Sequence, residues 1–83
     1  MTPQQCRAAR AWLDWTQGTL AERAHVALST VKDFEGGKRV PIANNLTAIR
    51  VALETHGIVF VNKGDGKTCG ITYTPSPGGD AAL

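Results

Sequence analysis

Lys32, Lys38 and Arg39 lie close together in the chain, with Ser29 and Asp33 among them. Ammonium and guanidinium groups bind anions, and a hydroxyl and a carboxylate add hydrogen-bonding capacity. Arg7, Arg10 and Arg23 stand further upstream. Such a set can serve a polar or anionic partner, or can be an ordinary solvated face, and residue type alone does not separate the two. Catalytic chemistry is missing from the pattern. His25 and His56 have no Cys or carboxylate at metal-ligand spacing, so no metal is expected. No nucleophile, base and orienting group fall together. Gly64-Asp65-Gly66-Lys67-Thr68 superficially matches the end of a phosphate-binding loop. That loop needs a glycine five residues before Gly66, where this chain has Val61, and no helix signal follows Thr68. The chain is therefore read as a non-enzyme that needs no cofactor.

The 83 residues suit one small domain with a limited core, a size at which a second subunit often supplies missing stability. A net charge of +2 and a pI near 8.8 are mildly basic and do not by themselves indicate a nucleic-acid partner. Cys6 and Cys69 form no C-x-x-C pair. They read as free thiols of a reducing compartment, with Cys6 as a small core residue. No apolar signal region and no run of membrane-spanning length is present, which gives the expectation of a cytoplasmic protein with no membrane partner.

The elements that must position the polar residues follow from periodicity. A first helix is expected from Pro3 to Asp14, with Cys6, Ala9, Arg10 and Leu13 on one face. Trp15 should fold inward, while Trp12 either caps the core edge or sits in a subunit interface. Thr16 suits an N-cap, and Leu20, Ala21 and Ala24 mark the apolar face of a second helix. Ala21 allows close helix approach. Ala24-His25-Val26 forms the turn, with His25 at a left-handed position that His tolerates better than most residues. A third helix turns Val31 and Phe34 inward with Val26. It turns Leu28, Ser29, Lys32 and Asp33 outward and stops at Gly36-Gly37. Helix, tight turn, helix is the geometry of a helix-turn-helix, whose second helix can enter the DNA major groove.

A loop over Lys38–Ile42 leads to a fourth helix from Asn44 or Asn45 to Thr55, with Leu46, Ile49 and Leu53 inward and Gly57 as its stop. The period then changes. Ile58-Val59-Phe60-Val61, a turn over Lys63–Lys67, and an alternating run from Thr68 to Thr74 read as a β-hairpin. Ile58 and Phe60 should cover the helices, leaving Val59 and Val61 on the other face. An isolated hairpin is marginal in water, so Val59, Val61, Ile71 and Tyr73 are expected to form a dimer interface. The organisation is thus residues 1–57 as the helical domain, 58–74 as its hairpin, and 75–83 as a mobile tail.

Gln17, Ala21, Val26, Val31, Glu35 and Gly37 together carry a likeness. Over about Cys6 to Gly57 the chain resembles the lambda-repressor-like (Cro/XRE-type) DNA-binding family. The resemblance implies a mainly α, four-helix helix-turn-helix domain, here with a C-terminal β-hairpin where the family often has a fifth helix. It implies base-edge contacts from Leu28, Ser29, Lys32 and Asp33, and backbone contacts from Gln17, Thr30, Lys38 and Arg39. It also implies an Arg10–Glu35 ion pair that fixes the third helix on the first. Lys32 can donate to guanine, Asp33 can accept from cytosine, and Leu28 can touch a thymine methyl. The function implied is a sequence-specific transcriptional regulator. It would bind a two-fold symmetric operator on double-stranded DNA as a homodimer and act on its own gene or on a mobile element. RNA polymerase is a further candidate partner. The alternative is a DNA-binding antitoxin that also holds a toxin through its C-terminal segment.

Overall fold

The computed structural model describes residues 1–66 and 69–75. Its elements are α1 (Pro3–Trp12), α2 (Gln17–Ala24), α3 (Leu28–Glu35), α4 (Ala43–Thr55), β1 (Ile58–Asn62) and β2 (Cys69–Tyr73). The molecule is mainly helical, with one two-stranded antiparallel sheet among the described residues. No helix among them is long and apolar enough to cross a membrane.

Local chemistry sets the helix ends. Thr2 accepts from the Gln5 backbone N–H at 3.0 Å, and the Gln5 side chain accepts from the Thr2 N–H at 2.8 Å. This capping box, with Pro3 in the first turn, starts α1. The helix stops at Trp12, two residues before the expected Asp14, because Asp14 takes a left-handed φ of 58° that breaks the helical path. Thr16 caps α2 through the Thr19 N–H at 3.0 Å. His25 closes α2 in the left-handed region at φ 57° and ψ 43°, as its place in the turn predicts. Gly37, at φ 73°, follows the end of α3. The fourth helix begins at Ala43, ahead of both asparagines, so its N-cap is Ile42 and carries no side-chain cap bond.

Every helix contributes to one core. Cys6 and Ala9 of α1, Leu20, Ala21 and Ala24 of α2, Val31 and Phe34 of α3, Ile49 and Leu53 of α4, and Ile58 of β1 are all buried. Ala21 and Ala24 leave room for α2 to pack directly on α3 and α4. Trp15, Val26, Leu46, Phe60 and Ile71 close the edges.

The hairpin is held by packing and by one side chain. The Gln5 amide donates to the Val61 carbonyl at 3.1 Å and to the Gly70 carbonyl at 2.9 Å, linking the first turn of α1 to both strands. Register pairs Ile58 with Tyr73, Phe60 with Ile71, Val59 with Thr72 and Val61 with Gly70. Directly paired residues share a face. This divides the four residues expected at the dimer interface. Ile71 and Tyr73 lie on the core-facing side with Ile58 and Phe60, whereas Val59 and Val61 lie on the opposite side. The four do not form one patch, because the pairing is even and side chains alternate along each strand. Tyr73 meets Trp12 with ring centroids 5.6 Å apart, so Trp12 lies at the edge of the hairpin with 60 % of its surface exposed. Lys67 and Thr68 of the expected turn and strand, and the expected mobile tail from Ser76 onward, lie outside the described residues.

Gly57 joins α4 to β1 at φ 98°, and its carbonyl accepts the Thr74 N–H at 2.8 Å. A Cβ there would collide with the Thr74 carbonyl oxygen and stand 2.9 Å from the Tyr73 ring. Gly57→Ala is therefore expected to lower stability by about 1–3 kcal/mol, read as a lower denaturant midpoint.

Candidate nucleic-acid interface

Glu35 is the organising residue of the candidate site. It ends α3, and only 3 % of its surface is exposed. A bare buried carboxylate would be strongly unfavourable, so its oxygens need donors. Oε1 accepts from Arg10 Nη2 at 2.9 Å and from Gln17 Nε2 at 3.0 Å. Oε2 accepts from Arg10 Nε at 3.0 Å and from the Cys6 thiol at 3.2 Å. The Arg10–Glu35 contact is a bidentate ion pair, the geometry that suits guanidinium and carboxylate. Arg10 Nη1 donates to the Trp15 carbonyl at 2.9 Å, and Arg7 donates to the Glu35 backbone carbonyl. One side chain of α3 thus engages α1 and α2 together, while its carbonyl engages α1 again. Among the described residues no buried side-chain polar atom lacks a partner.

The titration behaviour follows from these contacts. Burial pushes the Glu35 carboxyl up, but the hydrogen bonds from Arg10, Gln17 and Cys6 outweigh it and hold it below the usual glutamate value. Burial, then the hydrogen bond to Glu35, pushes the Cys6 thiol far above its ordinary range, so it remains a protonated donor. The expected Arg10–Glu35 pair is present. The part played by Cys6 and Arg7 was not foreseen. The spacing of Cys6 and Arg10, one helical turn apart on one face, was the available signal. Gln17, expected on a phosphate, directs one N–H of its amide to Glu35.

With α3 held in this way, Leu28, Ser29 and Lys32 are exposed along its outer side, and Asp33 and Thr30 are half-buried beside them. The Asp33 carbonyl accepts the Lys38 N–H at 2.8 Å and the Arg39 N–H at 3.3 Å. Those bonds fold the loop back on the last turn of α3, and both cationic side chains remain exposed. Ser29, Thr30, Asp33, Arg39, Pro41, Ile42 and Asn45 line a single cleft between α3 and the start of α4. Pro41, Ile42 and Asn45 had not been singled out. Neither α3 nor α4 has a side-chain cap at its N-terminus, although the Thr30 N–H in the first turn of α3 donates to the Ala27 carbonyl at 3.0 Å. Exposed cations, helix-borne donors and acceptors, and uncapped helix starts can together engage a polyanion with hydrogen-bonding edges. Among the described residues no group of three His, Cys, Asp or Glu could hold a metal ion.

A second cluster joins α2 to the end of α4. The Arg23 guanidinium stacks 4.8 Å from the Trp15 ring centroid and lies 3.5 Å from His56 Nε2. The His56 ring meets Trp15 edge-on at 4.8 Å. Burial, and then the Arg23 charge, hold the His56 imidazole below its ordinary value.

No family model matches the sequence, and no curated protein matches it.

Two pH-dependent losses of stability are expected. The folded state depresses the His56 pKa, so that contribution is complete above about pH 6.5 and fades as pH falls through the lowered folded value. Glu35 behaves likewise below about pH 4.3. In denaturation measured across pH, His56→Phe should remove the upper decline while keeping a ring against Trp15. Glu35→Gln should make the lower decline shallower. At neutral pH, Arg10→Ala should cost on the order of 3–5 kcal/mol because it strands a buried carboxylate. Midpoints equal to the wild type would contradict the clamp.

Proposed function

We propose that this protein is a sequence-specific binder of double-stranded DNA that acts as a transcriptional regulator. In this reading α2 and α3 form a helix-turn-helix unit of the lambda-repressor-like type, with α3 as the helix laid in the major groove. The observation that carries it is the clamp on Glu35. That clamp rigidly fixes a short helix against two others while its outer side stays exposed and polar, with Lys38 and Arg39 folded next to it. Leu28, Ser29, Lys32 and Asp33 face base edges, and Thr30, Lys38 and Arg39 meet phosphates. Gln17 uses one amide N–H on Glu35 and offers the other to the DNA backbone.

The net charge of +2 is small, so affinity rests on where the cations lie rather than on overall charge. One exposed face of an eight-residue helix covers few base pairs, which favours a homodimer on a two-fold symmetric site. Exposed Val59, on the hairpin face turned away from the core, supports a second copy against that face. Removing the whole hairpin would also remove Ile58 from the core. Val59→Lys leaves that core intact and is the cleaner test of the dimer.

Binding-site selection with the full chain tests the reading, and an enriched sequence with two-fold symmetry is the expected result. Recovery of no enriched sequence at low salt would overturn it. Lys32→Ala or Asp33→Ala should weaken the selected site by roughly 1–3 kcal/mol and relax preference at one symmetric pair of positions. Lys38→Ala and Arg39→Ala should each weaken selected and random DNA alike and reduce the salt slope by about one unit. In sedimentation velocity, the wild type should run as a dimer and Val59→Lys as a monomer.

A further inference from the structure

Ile42 breaks a local rule without an evident structural return. It is the N-cap of α4, at φ −57° and ψ 155°, and supplies no side-chain bond to the first turn. Ser, Thr, Asn and Asp are the residues that stabilise that position, and branched apolar residues rank among the poorest. Asn44 and Asn45 stand immediately downstream, so capping residues are close by but out of register. Burial does not compensate, because 71 % of Ile42 is exposed. Such a conflict between local preference and the fold is expected at functional or strained positions.

Its position indicates what that is. Ile42 lines the cleft whose α3 wall is Ser29, Thr30 and Asp33, and whose loop side carries Arg39. A partner laid along α3 against Ser29 and Asp33 therefore meets Ile42 across the cleft. Pro41, with its fixed φ, precedes Ile42, and the Ile42 carbonyl accepts the Leu46 N–H at 3.0 Å, so its backbone is held on both sides. The cleft has hydrogen-bonding groups on the α3 side, and on the α4 side the apolar Ile42 stands beside the amide of Asn45. In the major groove a thymine offers that combination, with a carbonyl acceptor beside a C5-methyl group.

We infer that Ile42 is a specificity-determining residue that reads a thymine C5-methyl group next to the bases met by α3. The inference rests on the DNA-binding reading above and adds a contact from outside α3. A methyl buried against Ile42 makes replacement of that thymine by uracil unfavourable, while the pairing of the base is unchanged.

The test uses the full chain and its selected operator, with each thymine replaced by uracil in turn. The wild type should lose about three- to fivefold at one position in each half-site besides any thymine met by Leu28, equivalent to about 0.8 kcal/mol for one buried carbon. Ile42→Ser should bind thymine and uracil equally at that position, and Ile42→Val should keep most of the discrimination. Because Ser can cap α4, the Ile42→Ser protein should melt no lower than the wild type. Persistence in Ile42→Ser of every uracil sensitivity seen with the wild type would overturn the assignment, as would an operator with no sensitive thymine; a sensitivity that remains at one further thymine belongs to Leu28. Uniform weakening of all sequences would place Ile42 on a sugar instead, and a lower melting temperature would assign it to packing. Failure to select any DNA would remove the DNA-binding reading itself, a result distinct from these.

Discussion

The buried carboxylate of Glu35 is the constraint on which the arrangement depends. A charge in a small core is unfavourable unless it is fully bonded, and here Arg10, Gln17 and Cys6 saturate both oxygens. Donors from two helices converge on the last residue of a third, so an orientation of α3 that broke those bonds would leave a buried ion unpaired. Apolar contacts alone would tolerate small rotations of an eight-residue helix, since they are non-directional. The hydrogen bonds remove that freedom. A short helix that presents side chains to a partner needs this more than a long one, because it has fewer turns to average out a tilt.

The clamp also connects distant parts of the molecule. Arg10 holds the Trp15 carbonyl, and Trp15 in turn lies under Arg23 and beside His56 at the end of α4. Contacts thus run from the last turn of α3, through the Trp15 ring, to the C-terminus of α4. Gln17 brings α2 into this chain of contacts. Its amide is oriented by Glu35, so the N–H left over is aimed by the core rather than by solvent.

Much of this was legible in the sequence. Leu20, Ala21, Ala24, Val31, Phe34, Ile49 and Leu53 repeat at helical spacing, and all are buried. His25 and Gly57 adopt the backbone conformations that their turn positions suggest. The limits were equally specific. Asp14 could have extended α1 by composition, but it takes a left-handed φ as the Trp15 N–H turns back to the Arg10 carbonyl. The start of α4 was misplaced because capping preference pointed to the asparagines while the chain uses Ile42. The hairpin residues were recognised, but which of them share a face depends on strand register, and apolarity alone does not report register. Cys6 was readable as a core residue. Its bond to Glu35 required knowing which helices meet.

Gln5 gives the fold a particular order of completion. Its backbone and side-chain oxygen belong to the first turn of α1, yet its amide nitrogen is satisfied only by carbonyls 56 and 65 positions later in the chain. Gln5 is almost fully enclosed, so before those strands arrive its donors face either water or an unfinished pocket. During synthesis these helices are made before the strands. The helical bundle can gather early through local contacts, but the site around Gln5 cannot close until the hairpin docks on the first turn of α1. The turn around Gln5 therefore reaches its native environment only after the hairpin has been made, and an emerging chain remains open along that seam until then.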